Sequence, residues 1–167
     1  MSAKTYVAYN GPMVTTAAFV PVTTGTTIKT LLQIATPSTN EIRVVEWGIS
    51  FDGFAAAAPG KVELIQTDVA ATVTAHVSAG VQPLNDPNAP ASLVTLGTAA
   101  TGYTASAEGA ITATRYVDPP QLLAPTAQFV KQLPLGREGE IPPSKFLRIR
   151  VTFAAAVNAV AYIVWEE

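Results

Sequence analysis

Apolar and polar side chains alternate position by position through much of this 167-residue chain. A period of two marks strands whose successive side chains point to opposite faces. The strongest instance is Lys145–Phe153. Leu147, Ile149, Val151 and Phe153 fall on one face, and Phe146, Arg148, Arg150 and Thr152 on the other. One side therefore seeks a core, and the other is left for water or a partner. Val157–Trp165 also alternates, but both of its rows are largely apolar. Val157, Ala159, Ala161, Ile163 and Trp165 form one row, and Asn158, Val160, Tyr162 and Val164 the other. That predicts a central strand covered on both sides. The link Ala154-Ala155-Ala156 is short enough for a hairpin, although it lacks the Gly or Asn-Gly of a tight turn.

Further strands are predicted at Thr26–Ile34, Glu41–Phe51, Lys61–Thr67 and Ala71–Val77, with weaker patterns at Met13–Val20, Ala110–Val117 and Ala127–Leu133. In Glu41–Phe51 the row Val45, Trp47, Ile49, Phe51 is out of phase with Ile42 and Val44. A β-bulge near Val44-Val45 brings the two halves onto one face. Turn chemistry separates the strands: Pro37-Ser38-Thr39-Asn40, Asp52-Gly53, Pro59-Gly60 and Pro142-Pro143. The alanine run after Phe54 meets Pro59 and Gly60 after about one turn, too soon for a helix.

Val81–Gly109 carries Pro83, Asp86-Pro87-Asn88, Pro90, Gly97 and Gly102 and reads as a long insertion, with a short helix or strand at Ala91–Leu96. Loops longer than about 12–15 residues are uncommon and often functional. Asp118–Pro125 is a second proline-rich crossing. Residues 1–12 read as an extended arm and residues 13–167 as a single domain. Many short strands, long crossings and no amphipathic helix predict an all-β protein. The expected fold is a β-sandwich, most simply a jelly roll of about eight strands, rather than an immunoglobulin-like domain.

Composition narrows the chemistry. The chain has no cysteine, which excludes disulfides, thiolate metal sites and cysteine nucleophiles. Charged residues make up 13% and the formal net charge is −2, against about 25% charged in ordinary soluble domains. No basic cluster offers a nucleic-acid footprint, and no stretch reaches the ~18 apolar residues of a membrane span. The start, Met1–Tyr6, lacks the apolar run of a signal peptide, which predicts synthesis in the cytoplasm. A surface poor in Lys, Glu and Asp resembles the centre of a protein–protein interface.

Catalytic constellations are thin. His76 is the only histidine, so a triad or a histidine metal site would have to use it; its strand-like row with Thr72 and Thr74 marks it as an ordinary strand residue. Glu41, Glu46, Glu63 and Asp68 lie on or near strands, and any two of them placed across a sheet would be the pair a glycosidase needs. A bulge or an ion pair with Arg43 accounts for Glu46. Asn85-Asp86-Pro87-Asn88 offers oxygen ligands to a hard cation but has no second acidic run. Trp47 and Trp165 sit in apolar rows and read as core. Tyr103, in the long loop, is the best candidate for an exposed aromatic. The expectation is no catalytic, cofactor or metal residues, and a protein-binding surface that includes Tyr6, Tyr9, Pro87, Pro90 and Tyr103.

The low charge, the Thr- and Ala-rich strands, the arm and the proline-rich loop are features of one family. So are the stretches Val45-Glu46-Trp47-Gly48-Ile49-Ser50-Phe51-Asp52-Gly53 and Phe146-Leu147-Arg148-Ile149-Arg150-Val151. Together they resemble the head decoration, or cement, proteins of tailed bacteriophages. That resemblance implies a non-enzymatic protein, often trimeric, on the capsid surface of the virion, with the major capsid protein as partner. An arm able to add a strand to a neighbour's sheet fits such a role. A carbohydrate-binding module, or a tail or receptor-binding accessory protein, is the alternative.

Overall fold

The out-of-phase rows of Glu41–Phe51 are reconciled by a bulge at Val45. Across the neighbouring strand Val164 faces Glu46 and Trp165 faces Val44, so Val45 has no partner of its own. The extra residue rotates the strand, and Ile42, Val44, Trp47 and Ile49 all enter the core.

The computed structural model describes residues 3–12, 20–54, 56–110 and 115–167. Its strands are β1 (Thr5–Tyr9), β2 (Val22–Thr23), β3 (Ile28–Ala35), β4 (Ile42–Phe51), β5 (Gly60–Thr67), β6 (Thr72–Ala75), β7 (Gln82–Pro83), β8 (Gly102–Ala107), β9 (Arg115–Leu123), β10 (Gln128–Gln132), β11 (Gly139–Ile141), β12 (Phe146–Thr152) and β13 (Asn158–Glu166). One 3₁₀ turn spans Ser78–Gly80. The predicted strand Met13–Val20 lies, but for Val20, outside the described residues, as does part of Ala110–Val117.

Two antiparallel sheets pack as a β-sandwich. The seven-stranded sheet runs β10-β4-β13-β1-β7, with β11 also on β4 and β2 also on β13; the six-stranded sheet runs β6-β8-β3-β12-β5-β9. Leu32, Ile34, Leu64, Leu147 and Ile149 from the second sheet meet Val44, Trp47, Ile49, Ile163 and Trp165 from the first in one core cluster. The connectivity is interlocked. β3 and β4 lie in different sheets, as do β12 and β13, and β3 pairs with β12 while β4 pairs with β13. Ala154-Ala155-Ala156 therefore does not close a hairpin; it carries the chain across the sandwich. The pairs β1–β13, β3–β12, β4–β10 and β5–β9 are nested, the order left by winding a single long hairpin into a jelly roll.

Three other expectations change. Residues 1–12 are not wholly a free arm: Thr5–Tyr9 is β1, between β13 and β7, with Tyr6 and Ala8 buried. The long insertion holds β7 and β8, and Leu96 forms an isolated bridge to Thr101, with no helix at Ala91–Leu96. The crossing at Asp118–Pro125 is mostly strand. Pro119 and Pro120 sit within β9 at the end of its sheet, where a missing N–H costs no ladder bond.

The Arg148 row of β12 does not face water. Arg148 is fully buried and Arg150 nearly so. Arg148 donates to the carbonyls of Glu108 and Val69 and pairs with the Glu108 carboxylate. Burial pulls its guanidinium down to about 10, with Glu108 opposing that shift. Arg150 Nε donates to Glu63 at 2.6 Å, and Lys61 lies 3.2 Å from the same buried carboxylate. Gln33, also buried, ties the flanks together by bonding Ala100 O at 2.6 Å and receiving Ala71 N at 2.9 Å. The outer side of the six-stranded sheet thus holds a buried polar network, with Tyr116 and Leu122 exposed on β9 at its edge.

Candidate protein-interaction surface

Alternation fixes which side chains the seven-stranded sheet turns outward. Cross-strand register arranges them in rows. At one end Thr5, Glu166, Arg43 and Glu140 stand side by side. Next come Val7, Val164, Glu46 and Gln132, then Tyr9, Tyr162, Gly48 and Val130, and last Val160, Ser50 and Gln128. Charge is concentrated in the end row. Beyond it, Glu46 is the one charged residue among these positions.

That carboxylate is tied into the face. Tyr162 donates its hydroxyl to Glu46 Oε1 at 2.5 Å. Burial, then the bond to Glu46 and its charge, pushes the Tyr162 phenol up to about 12. The ring lies flat over Gly48, where an added Cβ would come 2.6 Å from Tyr162 Cε1. Glycine at this point of β4 is what lets the tyrosine lie down and cover backbone. Val164 is buried beside it, Val7 and Val160 are half-buried, and Val130 is half exposed on the outermost strand. An outward sheet face in water ordinarily carries polar side chains. Here valine, tyrosine, glycine and neutral amides replace charge, the composition found at the centre of protein interfaces.

The charged end row opens into a cleft of about 520 Å³ that includes Glu41, Arg43, Glu166 and Glu167. Arg43 is shared between Glu41 at 3.8 Å and Glu140 at 3.5 Å. The carboxylates considered for catalysis are each engaged separately: Glu41 with Arg43, Glu46 with Tyr162, Glu63 with Arg150 and Asp68 with Lys145 at 2.7 Å.

The residues singled out from sequence are placed differently from one another. Tyr6 is core: it stacks on Trp165 at 6.2 Å and donates its hydroxyl to Pro90 O at 2.9 Å. Trp47 and Trp165 are both fully buried. Trp47 Nε1 donates to the buried Asp118 at 3.0 Å, which also pairs with Lys131, so that β9 and β10 are joined across the sandwich. Pro87 and Pro90 are exposed, in a loop pinned to the N-terminal segment. Lys4 pairs with Asp86 at 2.7 Å, Thr5 N donates to Asn85 Oδ1 at 3.3 Å, and Asn88 N donates to Asp86 Oδ1 at 3.0 Å. The oxygens considered for calcium are thus used inside the chain. Among the described residues no three His, Asp or Glu side chains are grouped as metal ligands.

Tyr9 stands at the edge of the outward face, folds its ring over Gly11 and donates its hydroxyl to Pro12 O. Tyr103 belongs to β8 and packs on His76, with ring centres 4.9 Å apart. It is not an exposed platform, and burial raises its phenol. Tyr9, His76 and Tyr103 therefore meet, which their sequence positions do not indicate. The residues missed from sequence are Val160, Tyr162, Val164 and Val130. Their signal is the second apolar row of Val157–Trp165, which suggests cover on both sides when only the core side is fully covered. No protein family, curated protein or solved structure matches the chain.

Proposed function

We propose that this chain is a non-catalytic structural protein that binds another protein surface through the outward face of its seven-stranded sheet. The observation that carries this is the run of rows from Val7 to Gln128 in which Glu46 alone is charged, and Glu46 is already hydrogen-bonded by Tyr162. Water solvates such a face poorly, and a partner's apolar surface covers it favourably. The charged row of Glu166, Arg43 and Glu140 at one end gives the contact a direction.

The sequence resemblance supplies the partner. We infer a phage capsid shell, with the major capsid protein as the surface bound and the virion exterior as the location. A homotrimer at a symmetry axis repeats one modest contact and gains avidity. Each copy bridging neighbouring subunits adds interface that must be lost before the shell ruptures. The test is sedimentation of the purified protein alone and with shells of its cognate major capsid protein. A trimer that pellets with shells and saturates at a fixed ratio supports the reading. A protein that stays in the supernatant at every shell concentration overturns it.

A further inference from the structure

His76 is the chain's only histidine and occupies a built position. It follows β6, is 3% exposed, and its ring lies against Tyr103. Nε2 lies 2.9 Å from the carbonyl of Tyr9, the last residue of β1. A carbonyl only accepts, so the neutral ring carries its proton on Nε2. Nδ1 lies against Gly80, where an added Cβ would sit 2.3 Å away. The same turn is held by Gly80 N to Val77 O at 2.8 Å and Val81 N to Ser78 O at 3.1 Å. The imidazole thus sits between the Ser78–Gly80 turn and the end of β1, packed against Gly80 and hydrogen-bonded to Tyr9.

We propose that His76 is an acid-sensitive latch, which holds the 76–80 turn to the end of β1 when neutral and lets it go when protonated. A cavity of about 190 Å³ beside the ring is lined by Pro12, Ala75, Val77, Ala79, Gly80 and Tyr103. Among the described residues the ionisable side chain packed on the imidazole is Tyr103 on β8, whose phenol burial pushes above its usual value. It offers an imidazolium no counter-charge. Burial accordingly pulls the His76 pKa below its usual value, with the Tyr9 carbonyl opposing more weakly. The sign follows from linkage. The opened form binds the proton at the ordinary histidine value of about 6.5, and the closed form binds it only at lower pH. Closure is therefore complete above about pH 6.5 and weakens as the pH falls from there to the closed-form value. Tyr9 borders the proposed docking face, so the latch reports acidity at the edge of that face. The latch itself is a property of the isolated chain and stands or falls without any partner.

A single histidine makes the test direct. The imidazole carbon-bound protons are followed by NMR from pH 8 to pH 5 while amide exchange is measured on the same samples. The expected midpoint lies below 6.5. After correction for intrinsic exchange rates, the opening constant of the Gly80 and Val81 amides rises about tenfold for each pH unit below 6.5, down to the His76 midpoint. The Ala161 amide, held by Asn10 Oδ1 at 2.8 Å, stays protected as an internal control. His76→Gln keeps a neutral donor and is expected to make the exchange of both amides independent of pH. A midpoint at or above 6.5, or unchanged Gly80 and Val81 protection down to pH 5, overturns the proposal, and both are read on the native chain even if the variant does not fold.

Discussion

Glu63 is fully buried in the outer layer of the six-stranded sheet, where Arg150 provides its one well-directed hydrogen bond and Lys61 lies near the second oxygen. A carboxylate in that position depends on its partner, because the cost of leaving it unpaired exceeds what the pair itself contributes. Arg150→Ala is expected to lower stability by about 3 kcal/mol in urea unfolding, and Glu63→Leu with Arg150→Met to recover most of that loss. An Arg150→Ala protein with an unchanged midpoint would show that Lys61 alone suffices. The same row shows how far single residues are legible. Alternation assigns Leu147, Ile149, Val151 and Phe153 to the core, and all are buried. It also puts Arg148 and Arg150 on the opposite side, correctly, but it does not say what lies over that side. Val69 and Glu108, distant in sequence, cover it. Tyr6 is misread for a related reason: a tyrosine near a terminus looks available until the strand that receives it is known.

At the scale of elements, β4 depends on one extra residue. Val45 has no partner on β13, and its insertion lets both Ile42-x-Val44 and Trp47-x-Ile49 point inward. Deleting Val45 would move one half of the strand by a single position and turn its apolar row outward. The deletion variant is expected to lose cooperative thermal unfolding by circular dichroism; a melting profile like that of the native chain would contradict this role for the bulge. The bulge is legible because a single inserted residue is what shifts an apolar row by one position within a continuous strand. The destination of each strand is less so. The Ala154–Ala156 link has hairpin length, yet β12 and β13 part into different sheets, a choice made by pairing with β3 and β4, far away in the chain. β1 reads as an arm for the same reason, since five residues with two inward side chains carry a weak signal by themselves.

For the whole molecule, the interlocked β3–β12 and β4–β13 pairs close one core and leave the two outer sides unequal. One centres on buried ion pairs and carries exposed Tyr116 and Leu122 on its edge strand. The other is the sheet face on which Val7, Val160, Tyr162, Val164 and Val130 replace the charges that water would favour. The scarcity of charge is legible from composition; its concentration on one face requires the register of four strands. Under the proposed function this face is where the partner binds. Val130 and Val160 are its test positions, because both lie on the outward side and neither is fully buried. Glutamate at both is expected to leave the protein folded, checked by circular dichroism, with the larger stability cost at half-buried Val160. The decisive measurement is co-sedimentation of native protein and the Val130→Glu/Val160→Glu variant with shells of the cognate capsid protein, at matched concentration. The native chain is expected to saturate the shells while the folded variant remains in the supernatant, and equal binding by the two would contradict a docking role for this face.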